Sequence, residues 1–189
     1  MTTASPEQRD YSSIFRLDDR KVVVVGGGSG LGRASSIALA QFGANVVVAD
    51  VNAAGVDKTL ATITAQGYKA VGAALDVTDT SQVETIAAAH ADTEVLVATP
   101  GINVRKQVLD TTDEEFERVL DVSLKGTYRL ARAFGPQMVE RGSGSIINFS
   151  SFRALVVEPG QGLYAAAKAG VLQLTKALSP FRVTISDFQ

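Results

Sequence analysis

Cysteine is absent from this chain of 189 residues, and histidine occurs only once. The lack of cysteine excludes disulfides, thiolate nucleophiles and thiolate metal sites, and it fits a reducing compartment. A single histidine, His90, excludes every metal site that needs two histidine ligands. We therefore expect the chemistry of this chain to proceed without a metal ion.

The chain also lacks a strong charge and a long apolar run. Its net charge of -2 gives no electrostatic reason to expect nucleic acid or an anionic membrane surface as a partner. No uncharged apolar stretch approaches the roughly 20 residues that span a bilayer. The first ten residues carry Glu7, Arg9 and Asp10 and have no apolar core, so they do not resemble a signal peptide. We expect a cytoplasmic protein.

The remaining composition is that of an ordinary globular protein, with 46% apolar and 20% charged residues. The length suits one domain with a sizeable core. We interpret residues 1–14 as a flexible N-terminal extension and residues 15–189 as a single domain.

Strand and helix patterns alternate along that domain. Residues 21–25 form a β-branched run closed by glycine, which is typical of a strand buried on both faces in a parallel sheet. The other predicted strands are 46–49, 70–75, 94–98 and 145–149, with 181–186 as the candidate for a sixth. The first helix ends at Gly43, and the later helices are 53–66, 81–90, 112–134 and 163–178. The alternation predicts an α/β fold, a Rossmann-type doubly wound parallel sheet.

A glycine-rich stretch, residues 26–32, joins the first strand to the first helix. Glycine permits a tight turn and lets the backbone and the helix N-terminus approach a pyrophosphate. Asp50 lies twenty residues after Gly30, at the end of the next strand, where an acidic residue accepts hydrogen bonds from ribose hydroxyls. This context predicts dinucleotide binding. Asp50 would repel a 2′-phosphate, so NAD is favoured, while Arg33 keeps NADP as the less favoured alternative.

Asp76 ends the third predicted strand at the same edge of the sheet. At that place a carboxylate either contacts a bound ligand or caps the following helix, and the residue alone supports both interpretations equally.

Tyr164 and Lys168 are four residues apart in a predicted helix, which places both side chains on one face. A nearby cation favours the phenolate form of a tyrosine, so a phenol beside an ammonium group suits a general acid/base. Such pairs are common on helix surfaces, and the pattern alone is weak evidence.

These features together resemble the short-chain dehydrogenase/reductase family, over residues 15–178. The family's Thr-Gly-x-x-x-Gly-x-Gly motif matches residues 25–32 in all three glycines, and its acidic residue after the second strand matches Asp50. Its Asp-Val after the third strand matches residues 76–77. Its Gly-Ser-Ile-Ile-Asn-x-Ser-Ser strand matches residues 144–151, and its Tyr-x-x-x-Lys matches Tyr164 and Lys168. The family serine lies thirteen residues before the tyrosine, which selects Ser151 over Ser150.

The resemblance implies an oxidoreductase that transfers hydride between NAD(P) and a secondary alcohol or carbonyl, such as a sugar, a sugar acid or a 3-oxoacyl compound. In that role Tyr164 is the general acid/base, Lys168 assists it, Ser151 fixes the substrate oxygen, and Ser123 stands where the family has a relay asparagine. The implied cofactor contacts are Gly26, Ser29, Gly30, Leu31, Gly32, Asp50, Asp76, Val77, Gly101, Tyr164 and Lys168. The family also implies a homodimer or homotetramer formed through the two long helices, 112–134 and 163–178.

The chain departs from the family pattern in three places. The family's Asn-Asn-Ala-Gly is Ala98-Thr99-Pro100-Gly101, and Val25 replaces the threonine that contacts it, which we interpret as a matched exchange for apolar contact. Ser123 has fewer hydrogen-bonding groups than asparagine and predicts a weaker proton relay. After residue 178 the pattern shortens, so we expect a C-terminal truncation without the family's last strand and substrate lid.

Two further interpretations remain open. One is a truncated, catalytically weak or inactive remnant that binds the nucleotide and turns nothing over. The other concerns Arg105 and Lys106 in the loop after the fourth strand, which either meet an acidic or polyol substrate or are merely solvated.

Overall fold

The computed structural model describes residues 14–178, which form one parallel sheet with helices on both faces. The strands are β1 (Lys21–Val25), β2 (Asn45–Asp50), β3 (Ala70–Ala74), β4 (Val95–Ala98) and β5 (Ser145–Asn148). The helices are α1 (Gly30–Gln41), α2 (Ala53–Ala65), α3 (Thr80–Ala89), α4 (Asp113–Leu120), α5 (Gly126–Glu140) and α6 (Gly162–Leu178). The strand order is β3-β2-β1-β4-β5, and every pairing is parallel. The predicted α/β fold is confirmed.

The β-branched composition of the central strands explains their burial, because both faces of the sheet are covered. On one face Val23 and Val47 pack with apolar residues of α3 and α5, including the fully buried Phe134. On the other face the alternate residues, such as Val22 and Val46, pack with α1 and α2. This alternation follows from the two-residue period of a strand. A smaller cluster of Val119, Leu163 and Ala167 joins α4 to α6.

The predicted helix 112–134 is not one regular helix. A π-helical turn, Asp121–Lys125, separates α4 from α5, and α5 continues to Glu140 through Pro136. A capping box opens α4, since the side chains of Thr112 and Glu115 each accept from the other residue's backbone N–H. The possible sixth strand, 181–186, and the extension over residues 1–13 lie outside the described residues.

The strand order reverses beside β1, which lies between β2 and β4. In open α/β sheets ligands bind outside the carboxyl ends of the strands at such a switch point. Within residues 14–178 no helix has the length and apolar character needed to cross a membrane.

Candidate active site

A cleft of about 920 Å³ opens at the carboxyl ends of the strands. The walls come from the glycine loop, the ends of β2 to β5, the π-helical turn and the start of α6. All of the residues that sequence reasoning assigned to a cofactor line it: Gly26, Ser29, Gly30, Leu31, Gly32, Asp50, Asp76, Val77, Gly101, Tyr164 and Lys168.

The glycine loop needs its glycines because other backbone atoms approach them closely. Gly26 has a φ of +85°, and its N–H donates to the Ala49 carbonyl over 2.8 Å. A β-carbon on Gly32 would lie 2.1 Å from the Gly26 carbonyl oxygen. These two positions therefore tolerate no side chain without movement of the loop.

The N-terminus of α1 lies at the floor of the cleft, and within residues 14–178 no side chain is bonded to its first amide groups. Its N-cap Ser29 makes no side-chain cap bond, and the first turn carries no acidic residue. The helices α2, α3 and α4 are instead capped by Asn52, Asp79 and Thr112. Free helix N-terminal amides attract anions, so this end fits the pyrophosphate of a dinucleotide.

Asp50 is held rigidly at the cleft by two backbone hydrogen bonds. Its Oδ2 accepts from Gly28 N over 2.9 Å, and its Oδ1 accepts from Asn52 N over 2.8 Å. Arg33 is the residue on which the NADP alternative rested. Its Nε donates to Thr59 Oγ1 over 3.1 Å, and its Nη2 donates to the Gly28 carbonyl. Arg33 is not among the residues that line the cleft, and its guanidinium is held beside the glycine loop by the Gly28 carbonyl.

Asp76 is not the cap of α3. Its Oδ1 accepts from the Thr78 N–H over 2.8 Å and from Thr78 Oγ1 over 2.7 Å, which forms a turn at the edge of the cleft. Asp79 caps the helix instead, with Oδ1 accepting from Ser81 N over 2.9 Å. Of the two interpretations, only the placement at the cleft is confirmed.

Tyr164 and Lys168 lie on α6 with both side chains in the cleft. Lys168 Nζ lies 5.8 Å from the centroid of the Tyr164 ring and donates to the Phe149 carbonyl over 2.6 Å. Only 4% of Lys168 is exposed, and burial lowers the pKa of its ammonium group to about 8. The fold thus keeps a cation in a largely dry position beside a phenol, which is costly unless the cation has a use.

Ser151 occupies a different position from the one that its predicted role suggests. Its Oγ accepts from Arg153 N over 3.1 Å and so caps the short 3₁₀ turn Phe152–Ala154. Ser150, which sequence reasoning set aside, lines the cleft, and its Oγ donates to the Lys168 carbonyl over 2.9 Å. The role of Ser151 stays a prediction.

Ser123 is fully buried in the π-helical turn, outside the lining of the cleft. Its Oγ accepts from Ile102 N over 3.4 Å, and its carbonyl accepts from Thr127 Oγ1 over 2.8 Å. A β-carbon on Gly101 would come within 3.2 Å of Lys168 Nζ and 3.8 Å of Ser123 Oγ. Lys168, Gly101 and Ser123 therefore meet behind the cleft.

Residues 98–101, which depart from the family pattern, make the expected apolar contact with Val25 and also a polar contact with it. Val25 and Ala98 are paired in the sheet and packed in one core cluster. Thr99 also donates to the Val25 carbonyl, from its N–H over 2.9 Å and from its Oγ1 over 2.8 Å. The hydroxyl of Thr99 thus ties the end of β4 to the end of β1.

One of the two basic residues after β4 is neutralised. Lys106 Nζ lies 2.5 Å from Glu115 Oε1, whereas Arg105 is exposed and has no ion pair within residues 14–178. Arg153, in the loop after β5, is likewise paired with Glu158.

Sequence reasoning missed several lining residues. Thr99 follows the end of β4, and the sequence marked it only as a departure from the family's Asn-Asn-Ala-Gly motif. The residues that α4 and the π-helical turn contribute have no local signal, because a π turn leaves no mark in the apolar periodicity. The missed lining residues include Val51, Thr78, Thr99, Glu117, Arg118, Asp121, Val122, Lys125 and Ser150.

A family comparison agrees with this geometry. The sequence profile described as short chain dehydrogenase matches residues 20–180. The chain belongs to this family. Among its relatives, the galactitol 2-dehydrogenase (L-tagatose-forming) of Cereibacter sphaeroides is 36% identical over 90% of this chain and 68% of the relative. The cyclopentanol dehydrogenase of Comamonas testosteroni is 35% identical over 91% of this chain and 72% of the relative.

Some relatives of this chain are much longer than the part that it matches. The Mycobacterium tuberculosis protein named "Probable oxidoreductase EphD" is 39% identical over 85% of this chain, which spans only 28% of that protein.

Solved structures of the family superpose closely. A short chain dehydrogenase/reductase of Burkholderia phymatum in complex with NAD has a TM-score of 0.87 and 28% identity, covering 92% of this chain and 66% of that one. The Beutenbergia cavernae protein named "putative NAD(P) dependent gluconate 5-dehydrogenase", with NADP bound at low occupancy, has a TM-score of 0.83 and 32% identity, covering 88% of this chain and 68% of that one. The family fold thus serves both nucleotides.

Proposed function

We propose that this chain is an oxidoreductase that interconverts a secondary alcohol and the corresponding carbonyl compound with a nicotinamide dinucleotide. The observation that carries the proposal is the cleft itself. One end offers the free amides of α1 and the carboxylate of Asp50, and the other offers Tyr164 beside the buried cation of Lys168. Relatives named as alcohol dehydrogenases support it.

Tyr164 is the proposed general acid/base. During oxidation its phenolate accepts the proton of the substrate hydroxyl, and during reduction its hydroxyl donates a proton to the carbonyl oxygen. Lys168 stabilises the phenolate through its charge, and the Phe149 carbonyl fixes the direction of its ammonium group. Hydride transfer is the chemistry that the nicotinamide supplies when bound.

Two serines complete the proposed site. Ser151 holds the substrate oxygen if its hydroxyl turns from the 3₁₀ turn toward the cleft, a rotation of one side-chain torsion. Ser123 supports Lys168 from behind, where both meet Gly101. Neither residue lines the cleft, so their roles depend on the substrate complex.

NAD is the preferred cofactor in this proposal. The Asp50 carboxylate repels a 2′-phosphate, and the donors of Arg33 are already engaged by Gly28 and Thr59. The cleft therefore presents a negative charge where NADP carries its additional phosphate.

A homo-oligomer is part of the proposal. The helices α4 and α5 leave Phe116 and Tyr128 40% and 48% exposed, which is apolar area that a second copy of the chain would cover. A molecular mass in solution of two or four chains is expected, and a monomeric mass at micromolar concentration would contradict this part.

The test has two stages that separate turnover from binding. Calorimetric titration with NAD and NADP is expected to show binding, with NAD bound more tightly. Assays with NAD and either cyclopentanol or galactitol are then expected to produce NADH. Binding without turnover of any alcohol or ketone would favour the alternative, a remnant that only binds the nucleotide, for which the capped position of Ser151 is the supporting observation.

A further inference from the structure

A buried glutamine lies one turn before Tyr164. Gln161 is 5% exposed, and both ends of its side-chain amide are bonded. Its Oε1 accepts from Asn103 Nδ2 over 3.1 Å, and its Nε2 donates to Glu158 Oε2 over 2.7 Å. A buried amide is costly unless it is satisfied in this way, so its presence needs a reason.

The two partners of Gln161 belong to the two loops beside the catalytic end of the cleft. Asn103 follows β4, two residues after the cleft residue Gly101. Glu158 lies after β5 and also accepts from the guanidinium of Arg153, whose backbone N–H donates to Ser151 Oγ. A continuous chain of hydrogen bonds therefore runs from the loop after β4 through Gln161 to the serine that the mechanism uses.

The backbone of Gln161 connects this chain to the helix that carries the tyrosine. Its N–H donates to the Glu158 carbonyl over 3.1 Å, and its carbonyl accepts from Ala165 N over 2.9 Å in the first turn of α6. Tyr164 lies within that first turn, where a helix frays most easily.

We propose that Gln161 is a positioning residue for the proposed reaction: it clamps the two loops to the first turn of α6 and fixes Tyr164 relative to Ser151. This inference rests on the proposed function. Gln161 touches neither the cleft nor a reacting atom, and it acts through the place that it gives to the tyrosine. Misplacement of a catalytic group by about 1 Å costs about 100-fold in rate.

The first test replaces Gln161 by methionine, which has a similar length and no hydrogen-bonding amide. With NAD and cyclopentanol, we expect kcat of Gln161→Met to fall by about 10- to 100-fold while the Kd for NAD stays within about twofold. Gln173→Met is the matched control, because Gln173 is exposed on the same helix. Circular dichroism checks that both variants are folded. An unchanged kcat in Gln161→Met would overturn the inference.

A second variant, Gln161→Glu, keeps the shape of the side chain and makes its hydrogen bond to Glu158 depend on pH. In Gln161→Glu the new carboxyl group faces that of Glu158, which raises the pKa of the proton that they share, while the Arg153 guanidinium bound to Glu158 opposes this rise. The protonated form restores a donor toward Glu158. We expect kcat for ketone reduction to recover in this variant as the pH falls, relative to the unaltered chain. A pH profile parallel to that of the unaltered chain would contradict the clamp.

A third readout does not need turnover, so it separates this inference from the proposed function. The ring resonances of Tyr164, identified by their loss in Tyr164→Phe, are expected to move in Gln161→Met and to stay unchanged in Gln173→Met. Resonances that do not move in Gln161→Met would overturn the clamp even if no tested alcohol is a substrate. Turnover by the unaltered chain with no change in Gln161→Met would refute the clamp and leave the proposed function standing.

Discussion

The two ends of the cleft are built by different means. At the α1 end the contacts are made by the backbone: glycines without room for a side chain, helix amides without a cap, and a carboxylate held by two N–H groups. At the α6 end the contacts are made by side chains, with a buried lysine and a buried glutamine bonded to the loops after β4 and β5.

Because of this difference, we expect the α1 end to favour a stable fold and the α6 end to favour activity at the expense of stability. The α1 end needs shape, and substitutions there act mainly by steric conflict. The α6 end holds a cation in a dry position, which lowers stability and is useful only for proton transfer. Substitutions at the two ends should therefore have opposite effects on the free energy of unfolding. Removal of the Lys168 charge at the α6 end should raise it, and addition of one methyl group to a glycine at the α1 end should lower it.

The largest expected effect on stability is at Lys168. Burial lowers its pKa from 10.5 to about 8. Below about pH 8 the lysine is charged in both states, so the fold carries the full cost of burying the cation. Between about 8 and 10.5 the folded state has lost this proton and the unfolded state keeps it, so the free energy of unfolding rises with pH through this group. Lys168→Met should stabilise the chain by up to roughly 3 kcal/mol below pH 8.

Urea unfolding of both proteins from pH 6 to 10 measures this difference. The advantage of Lys168→Met should shrink as the pH rises through 8 toward 10.5, because the unaltered chain gains stability there. An advantage that does not change with pH would show that burial of the cation is not the cause. Lys168→Met also removes the hydrogen bond to the Phe149 carbonyl, which reduces the gain in stability.

The second effect is at Gly32 and has the opposite sign. A β-carbon there meets the Gly26 carbonyl oxygen at 2.1 Å and Thr99 Oγ1 at 2.7 Å, so Gly32→Ala should destabilise the chain by about 2 kcal/mol and weaken NAD binding. The control is Gly135→Ala in α5, where the added carbon meets nothing within 4 Å. It should stabilise the helix by about 0.5–1 kcal/mol. Thermal unfolding that shifted equally in both variants would contradict the account.

The α1 end was predictable from sequence for a physical reason. Its signals are local: a β-branched run, then a glycine cluster, then a carboxylate at the next strand end. Each one fixes the backbone within a few residues, and the cleft confirms their placement. The five described strands were predicted to within one residue at each end, and burial on both faces explains the uninterrupted apolar runs of β1 and β2.

The α6 end was only partly predictable. The pair Tyr164 and Lys168 lies in one helix and was found by spacing, but the bond from Lys168 to Phe149 joins residues nineteen apart. The clamp of Gln161 joins residues that are distant in sequence, and no local pattern marks it. The π-helical turn around Ser123 interrupts a helix whose apolar pattern predicts continuity. Such features arise from packing between elements, which spacing does not reveal.

The smallest expected effect concerns the choice of nucleotide at Asp50. Asp50→Asn removes the charge that repels a 2′-phosphate and weakens the bonds to ribose. The ratio of NAD affinity to NADP affinity should fall by about tenfold, since a hydrogen bond to a charged group is worth about 1.5–3 kcal/mol. Asp57→Asn is the control, because Asp57 is exposed on α2 and does not line the cleft. If calorimetry gave the same ratio of NAD to NADP affinity in both variants, the Asp50 charge would not be what selects the nucleotide.

The most direct test of the division between the two ends is Tyr164→Phe, measured for NAD affinity and for turnover of cyclopentanol in the same preparation. The account predicts that the Kd for NAD stays within about twofold, because the backbone contacts at the α1 end are intact, while kcat falls by about 1,000-fold with the loss of the acid/base. A variant that keeps its kcat, or that loses NAD binding together with turnover, would contradict the account.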